Sequence, residues 1–290
     1  MRRVTMYWSN ICVLHRYEKQ HIENVKKQLA ELDINLSVDY FGLGYPRKLA
    51  ETVKAAGEAP DIIVSTDLEV FEDPDIYGLF CHNLMNLDTV LPVKQEIQTS
   101  NLCQDKRLLP FLAIPLVIVF NNQLWKGRTM PASLRELCDC PKAFGGKNNS
   151  AGKGVYKQLT YLYGEAFTER FMTAATVCEM PVQSLNSVQK GLVPVSLTPS
   201  IFALRADSQT LTLRYPEEGA LTVPSFVAVK KSLGQELAKT ILSALLTIEF
   251  CNYFAVSGAI QPCLRKTADV DMVAQNGFRL VYPEFSQAEL

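Results

Sequence analysis

The chain has 290 residues, 48% of them hydrophobic and 20% charged, and a formal net charge of -1 from 29 basic and 30 acidic side chains. That length suits one large domain or two ordinary α/β lobes, and the composition excludes a disordered, collagenous or coiled-coil chain. Near-neutrality also excludes a global field that would gather nucleic acid or anionic membrane, so no nucleic-acid partner is expected and any anion preference must be local.

Val4 to Trp8 is a short apolar run ending in Ser9-Asn10, which predicts a buried strand entering a loop. Ile22, Val25, Leu29 and Leu32 recur at helical spacing and predict an amphipathic helix over 16–32. Alternation from Leu36 to Phe41 predicts a strand that stops in a turn at Gly42-Leu43-Gly44. Pro46 is expected to open a helix that Gly57 ends. Asp61 to Val64 is a third strand, followed by Ser65-Thr66-Asp67. The order βαβαβ predicts a parallel sheet covered by helices.

Leu108 to Asn122 reads as one long extended segment containing Pro110 and Pro115. Proline cannot donate to a central ladder, so this strand is expected to cross between lobes or to run partly at an edge. A second set of elements follows. Helices are predicted near 132–137 and over 150–163, 165–175 and 184–190; strands are predicted over 192–197 and 211–215, with a second crossing strand at 221–229. Leu237, Ile241, Leu245 and Ile248 mark the apolar face of a single long helix over 233–254. The layout predicts an α/β fold of two lobes, each a mainly parallel sheet flanked by helices. The first is discontinuous, 1–115 plus 222–290, and 116–221 is inserted as the second. Two crossing strands form the hinge, and the crevice between lobes is the default ligand site.

The stretch from Phe144 to Gly154 leads through Gly145-Gly146 and Asn148-Asn149-Ser150 into a strong helix. Asn149 or Ser150 can cap it, which would leave the amides of Ala151, Gly152 and Lys153 pointing out of an end that suits a carboxylate, phosphate or other oxyanion. An ordinary cap is the plainer reading of the same residues. Trp8-Ser9-Asn10 and Ser65-Thr66-Asp67 repeat this chemistry at two strand ends. So does Thr198-Pro199-Ser200, with Thr198 expected as cap and Pro199 as first helical residue.

Other chemistries find no anchor. His15, His21 and His82 are not spaced as metal ligands, and no metal site or cofactor is expected. There is no G-x-S-x-G elbow, no G-x-G-x-x-G after the first strand and no complete P-loop, so no catalytic residue is assigned. Asp67, Glu69, Glu72 and Asp73 read as a solvated helix start, and Lys153 and Lys157 as surface charges. Eight cysteines lie scattered from Cys12 to Cys263 without forming a disulfide framework. Only Cys138 and Cys140 are close, and a lone C-x-C reads better as two thiols than as a metal site. Free thiols fit a reducing compartment or an anaerobic source. No apolar signal region follows Met1-Arg2-Arg3, and Phe111 to Phe120, broken by Pro115, is too short to span a bilayer. A soluble chain is expected.

Met6-Tyr7-Trp8-Ser9, Ala59-Pro60-Asp61-Ile62-Ile63-Val64-Ser65-Thr66, Ile114-Pro115-Leu116-Val117-Ile118-Val119-Phe120-Asn121 and the 144–154 stretch, in that order, carry a resemblance. Together they resemble the type 2 extracellular (periplasmic) solute-binding proteins of ABC transporters, near the ferric-iron-type branch. The resemblance implies a hinged two-lobe fold, no enzymatic activity, a monomer, and delivery of a small solute to permease subunits. It implies ligand contacts at Ser9, Asn10, Ser65, Thr66, Asn149, Ser150, Ala151, Thr198 and Tyr215. Members that bind ferric iron carry adjacent tyrosines near the hinge, whereas Pro216 follows Tyr215 here, which argues against iron itself. The expected solute is a small anion or a metal complex. An enzyme or a cytoplasmic ligand sensor on the same two-lobe scaffold is the alternative. The resemblance places the protein in the periplasm or cell envelope, while the missing signal leaves a cytoplasmic location open.

Overall fold

The computed structural model describes residues 2–42 and 44–284, with the side chain of Cys12 set aside. Part of the Gly42-Leu43-Gly44 turn and the outermost ends of the expected first lobe lie outside the described residues. In chain order the strands and helices are β1 (Arg2–Ser9), α1 (His15–Ala30), β2 (Ile34–Phe41), α2 (Leu49–Ala56), β3 (Ile62–Ser65), α3 (Glu69–Glu72), α4 (Pro74–Tyr77), α5 (Gln95–Gln98) and β4 (Leu109–Asn121). Then come β5 (Lys142–Gly145), α6 (Ser150–Tyr163), α7 (Glu165–Thr173), β6 (Ala175–Cys178), α8 (Pro181–Gln189), β7 (Val195–Pro199), α9 (Ser200–Ala203), β8 (Leu211–Arg214) and β9 (Ala220–Val229). The described residues end with α10 (Gln235–Leu245), α11 (Ile248–Gly258), β10 (Gln261–Pro262), α12 (Asp271–Ala274) and β11 (Leu280–Val281).

The fold is α/β with two lobes. In the first, β1 pairs in parallel with β2 on one side and β3 on the other, and β3 meets β9 antiparallel. In the second, β5 lies in parallel between β6 and β7. The alternation of buried Val4, Met6 and Trp8 in β1 faces α1, whose Ile22, Val25 and Leu29 are each no more than 1% exposed. Trp8 lies 6.2 Å from both the Phe111 and the Phe250 rings, so one aromatic cluster ties β1, β4 and α11 together.

β4 and β9 join the lobes. Residues 109–115 of β4 pair with β9, and from Leu116 onward β4 pairs with β7 and β8. All thirteen residues of β4 are buried, so its prolines are not edge residues. Each instead marks an irregularity: the register slips between Pro110 and Leu112, and Pro115 is the last residue paired to β9 before β4 changes partner. A residue with no N–H is tolerated where the ladder is interrupted.

Several expected elements differ. The segment 132–137 forms turns, with the amides of Leu134 and Arg135 donating to Glu218 in place of a helical ladder. The long helix expected over 233–254 is two, α10 and α11, bent by 42° at Leu246-Thr247. Thr247 causes the restart, because its hydroxyl accepts from the Phe250 amide as an N-cap. The second helix begins at Leu49 rather than at Pro46, and it ends as expected at Gly57, which takes φ +68°. The short strands β5 and β6 sit in stretches to which no strand was assigned.

Candidate functional site

In parallel sheets the crevice opens outside the carboxyl ends of the strands. On the first lobe these ends are Ser9-Asn10, Phe41-Gly42 and Ser65-Thr66. Asn10 donates its amide to the Phe41 carbonyl (3.0 Å), continuing the β1–β2 ladder by one residue. Its side chain is 6% exposed, and neither amide atom has a hydrogen-bond partner. Ser9 is equally buried. The turn after β1 is held from α1 by Glu18, which accepts from Trp8 Nε1 (3.1 Å) and from the Ile11 amide (2.8 Å). Burial pushes the Glu18 carboxyl up to about 8. At the end of β3, the Asp67 amide donates to Ser65 Oγ (2.8 Å), Thr66 is half-buried, and burial followed by the Glu69 charge raises Asp67 above the usual carboxylate range.

On the second lobe the β5–α6 loop has the expected cap, with the Ala151 amide donating to Asn149 Oδ1 (3.0 Å). The rest of that expectation fails. The Gly152 amide donates to Gly146 O (3.2 Å) and the Lys153 amide to Asn149 O (3.1 Å), so all three amides expected to point outward are satisfied inside the loop. The glycines serve this closure. Gly146 adopts φ +94°, and a Cβ on Gly152 would fall 2.2 Å from Gly146 O. Asn149 is exposed, and Ser150 and Ala151 are half-buried.

Thr198 lies inside β7, fully buried, with its hydroxyl 2.8 Å from Ser196 Oγ and 3.3 Å from Ser184 Oγ. It does not cap α9, which begins at Ser200 without a side-chain cap because Pro199 is still the last residue of the strand. The Tyr215 hydroxyl donates to Arg279 O (2.7 Å), and burial pushes it up to about 12. Its phenol is thereby tied to the C-terminal segment.

Across the crevice, the Leu68 amide of the first lobe donates to Ser150 Oγ of the second (2.9 Å). Helix α6 continues the contact: Lys153 Nζ reaches Glu69 (2.7 Å), Lys157 Nζ reaches Glu72 (3.2 Å), and Tyr161 OH accepts from Asn101 Nδ2 (3.1 Å). Residues 150, 153, 157 and 161 form one stripe of the helix. Lys153, Lys157, Glu69 and Glu72, read from the sequence as solvated, therefore bridge the lobes. Sequence reasoning also passed over Gln158. It is 2% exposed and clamps the β9 backbone, accepting from the Thr222 amide (2.6 Å) and donating to its carbonyl (2.8 Å). The spacing of the stripe is visible in the sequence; what it faces is not.

Among the described residues no group of three or more His, Cys, Asp or Glu side chains is placed to hold a metal ion. Residues 57–286 match the model of a family described as bacterial extracellular solute-binding protein. Among curated proteins nothing matches the chain. The fold is similar to that of the apo ferric ion-binding protein A of Pasteurella haemolytica (14% identity, TM-score 0.71, covering 98% of this chain and 92% of that one). It is also similar to iron-bound HitA from Pseudomonas aeruginosa (16%, 0.68, 93% and 89%). A third similar structure is the substrate-binding protein of an ABC transporter from Agrobacterium tumefaciens (12%, 0.64, 98% and 88%).

Proposed function

The chain belongs to the family of bacterial extracellular solute-binding proteins, and from that premise we propose that it is the substrate-binding component of an ABC-type transporter. It captures a small solute between its lobes by closing about β4 and β9, performs no catalysis, and passes the solute as a monomer to permease subunits in the periplasm or cell envelope. The hinge divides 1–115 plus 222–290 from 116–221. The observation that carries this reading is the pairing of β4, which serves the first-lobe sheet up to Pro115 and the second-lobe sheet from Leu116. The direct bond from Leu68 to Ser150 adds support, since it joins the strand-end loops of opposite lobes.

The solute contacts fall on Ser9, Asn10, Ser65 and Thr66 from the first lobe and on Asn149, Ser150 and Ala151 from the second. Thr198 and Tyr215 belong to the supporting shell, because their hydroxyls already have partners. An anionic solute was expected from free amides at the start of α6. With those amides paired within the loop, that support is gone. No cluster of three or more His, Cys, Asp or Glu side chains among the described residues supports a bare ferric ion as cargo.

A thermal-shift screen of the full chain against sugars, amides, amino acids, oxyanions and iron complexes tests the reading. A true solute at about 100 times its Kd stabilises the folded state by about 2.7 kcal/mol. A panel in which nothing raises the Tm would refute the binding function.

A further inference from the structure

Among the described residues, four buried side-chain polar atoms have no hydrogen-bond partner: Asn10 Nδ2, Asn10 Oδ1, Tyr40 OH and Ser200 Oγ. A buried polar group without a partner is costly, and the large majority in native proteins are satisfied. Their positions are not scattered. Asn10 directly follows β1, Tyr40 is the next-to-last residue of β2, and Ser200 directly follows β7. Asn10 and Ser200 thus each sit one residue beyond the carboxyl end of a strand in a parallel pair, where the crevice between lobes opens, whereas the Tyr40 ring packs beneath Lys19 of α1 and is left aside. Both lobes contribute.

The chemistry of these atoms is equally consistent. Each belongs to an uncharged group. Asn10 offers a donor and an acceptor side by side, and its Oδ1 can be satisfied only by a partner that donates. The amide oxygen packs so close to Gly42 that a Cβ there would fall 2.3 Å from Oδ1, and the turn that follows is fixed through Ile11 to Glu18. Phosphate, sulfate and carboxylate, when fully deprotonated, present acceptors alone and would leave Oδ1 unpaired. A bare metal ion would leave Nδ2 unpaired. Lys153 and Lys157 are occupied by Glu69 and Glu72, and the first amides of α6 are closed within their loop. Lys147 in that loop is exposed.

We propose that the solute is an uncharged molecule whose adjacent groups both donate and accept hydrogen bonds, a polyol or sugar hydroxyl pair or a primary carboxamide, and that Asn10 is its bidentate anchor. This rests on the solute-binding reading above. In it, the unpaired atoms of Asn10 and Ser200 are the protein's half of a hydrogen-bond set that the solute completes when the lobes close.

Isothermal titration and thermal shift on the full chain test it with four probe groups: polyols and monosaccharides, uncharged primary amides such as acetamide and propionamide, phosphate and sulfate, and ferric citrate. The expected result is binding by a member of the first or second group, and which of these binds separates hydroxyl from amide chemistry. N10A and N10D should then weaken that binding at least tenfold, and S200A more mildly. The Tm of solute-free N10A should stay close to wild type, because the amide it removes has no partner to lose; a residue with a merely structural role would lower it. Binding by oxyanions or ferric citrate alone, or undiminished affinity in N10A, would overturn the proposal while leaving the binding function standing. Silence from every probe group counts against the binding function instead.

Discussion

Lys153 Nζ of the second lobe stands 2.7 Å from Glu69 Oε2 of the first, one helical turn from the bond that joins Leu68 to Ser150. With Lys157 and Glu72 at 3.2 Å, it forms a partly exposed ionic seam along α6 that bridges to the other lobe. Both Lys153 and Glu69 are about half exposed, so the pair is worth at most about 1 kcal/mol, and salt screens it. A closure equilibrium balanced within a few kcal/mol still responds to that amount. K153E is expected to open the lobes by a factor of two to five, roughly what ~0.5–1 kcal/mol gives. The double variant K153E/E69K should restore closure. Interlobe distance by fluorescence transfer or small-angle scattering reads both. Failure of the swap to restore closure would show that the seam does not govern it.

Gln158 does for the hinge what a neighbouring strand would otherwise do. Its side-chain amide satisfies both the N–H and the C=O of Thr222, at the start of the β9 segment that pairs with β4. Q158L keeps the volume and leaves two buried backbone groups unpaired, each costing about 1–3 kcal/mol. The expected result is a loss of about 2–6 kcal/mol in urea denaturation. A loss below about 0.5 kcal/mol, the usual size of a surface substitution, would mean that water or a shifted strand replaces the clamp.

The contrast between Gln158 and Ser65 shows how far the sequence reaches. Ser65 lies at the end of an apolar run, and strand ends with hydroxyls are visible from periodicity and turn residues alone. The same holds for β1 through β3, for β4 and β9, and for Asn149 as a cap, because each depends on a local pattern that short-range forces decide. Gln158 sits mid-helix among ordinary polar residues, and only tertiary packing tells it from its neighbours. Lys153 and Lys157 look solvated for the same reason. The break at Thr247 was legible in principle, since a threonine three residues before Phe250 can cap, but continuous apolar spacing from Leu237 to Ile248 masked it. The amides of α6 were misjudged because the chain reversal that brings Gly146 O onto the Gly152 amide depends on a positive φ that composition does not reveal.

Glu18 ties stability to pH. Its carboxyl is pushed up to about 8 in the fold by burial, against an ordinary value of 4.5, so the folded chain holds a proton that the unfolded chain releases between these limits. Its contribution is fully present below pH 4.5 and is lost as pH rises through 8. The slope approaches about 1.4 kcal/mol per pH unit within that window. E18Q cannot ionise, and although it sacrifices one of the two acceptors it should flatten this dependence. Urea midpoints of wild type and E18Q at pH 5 and pH 8 measure the difference, and parallel pH profiles would exclude Glu18 as the source.

Lys142 gives the opposite sign in the second lobe. It is 1% exposed, donates to Cys138 O (2.9 Å) and Phe171 O (3.1 Å), and holds Nζ 4.1 Å from the centre of the Phe171 ring. Burial pushes its ammonium down to about 8 from 10.5, so between those values the unfolded chain binds the extra proton. Its contribution is present above pH 10.5 and is lost as pH falls through 8. Wild type should therefore gain stability relative to K142M as pH rises from 8 to 10. K142M also leaves two carbonyls without their donor, which predicts a loss of about 1–3 kcal/mol at pH 7. The two effects separate in one experiment, because the lost bonds set the size of the difference and the titration sets its slope. A difference between wild type and K142M that stays constant from pH 7 to 10 would mean that the buried ammonium does not titrate there, leaving its two carbonyl bonds as its whole role in joining β5 to α7.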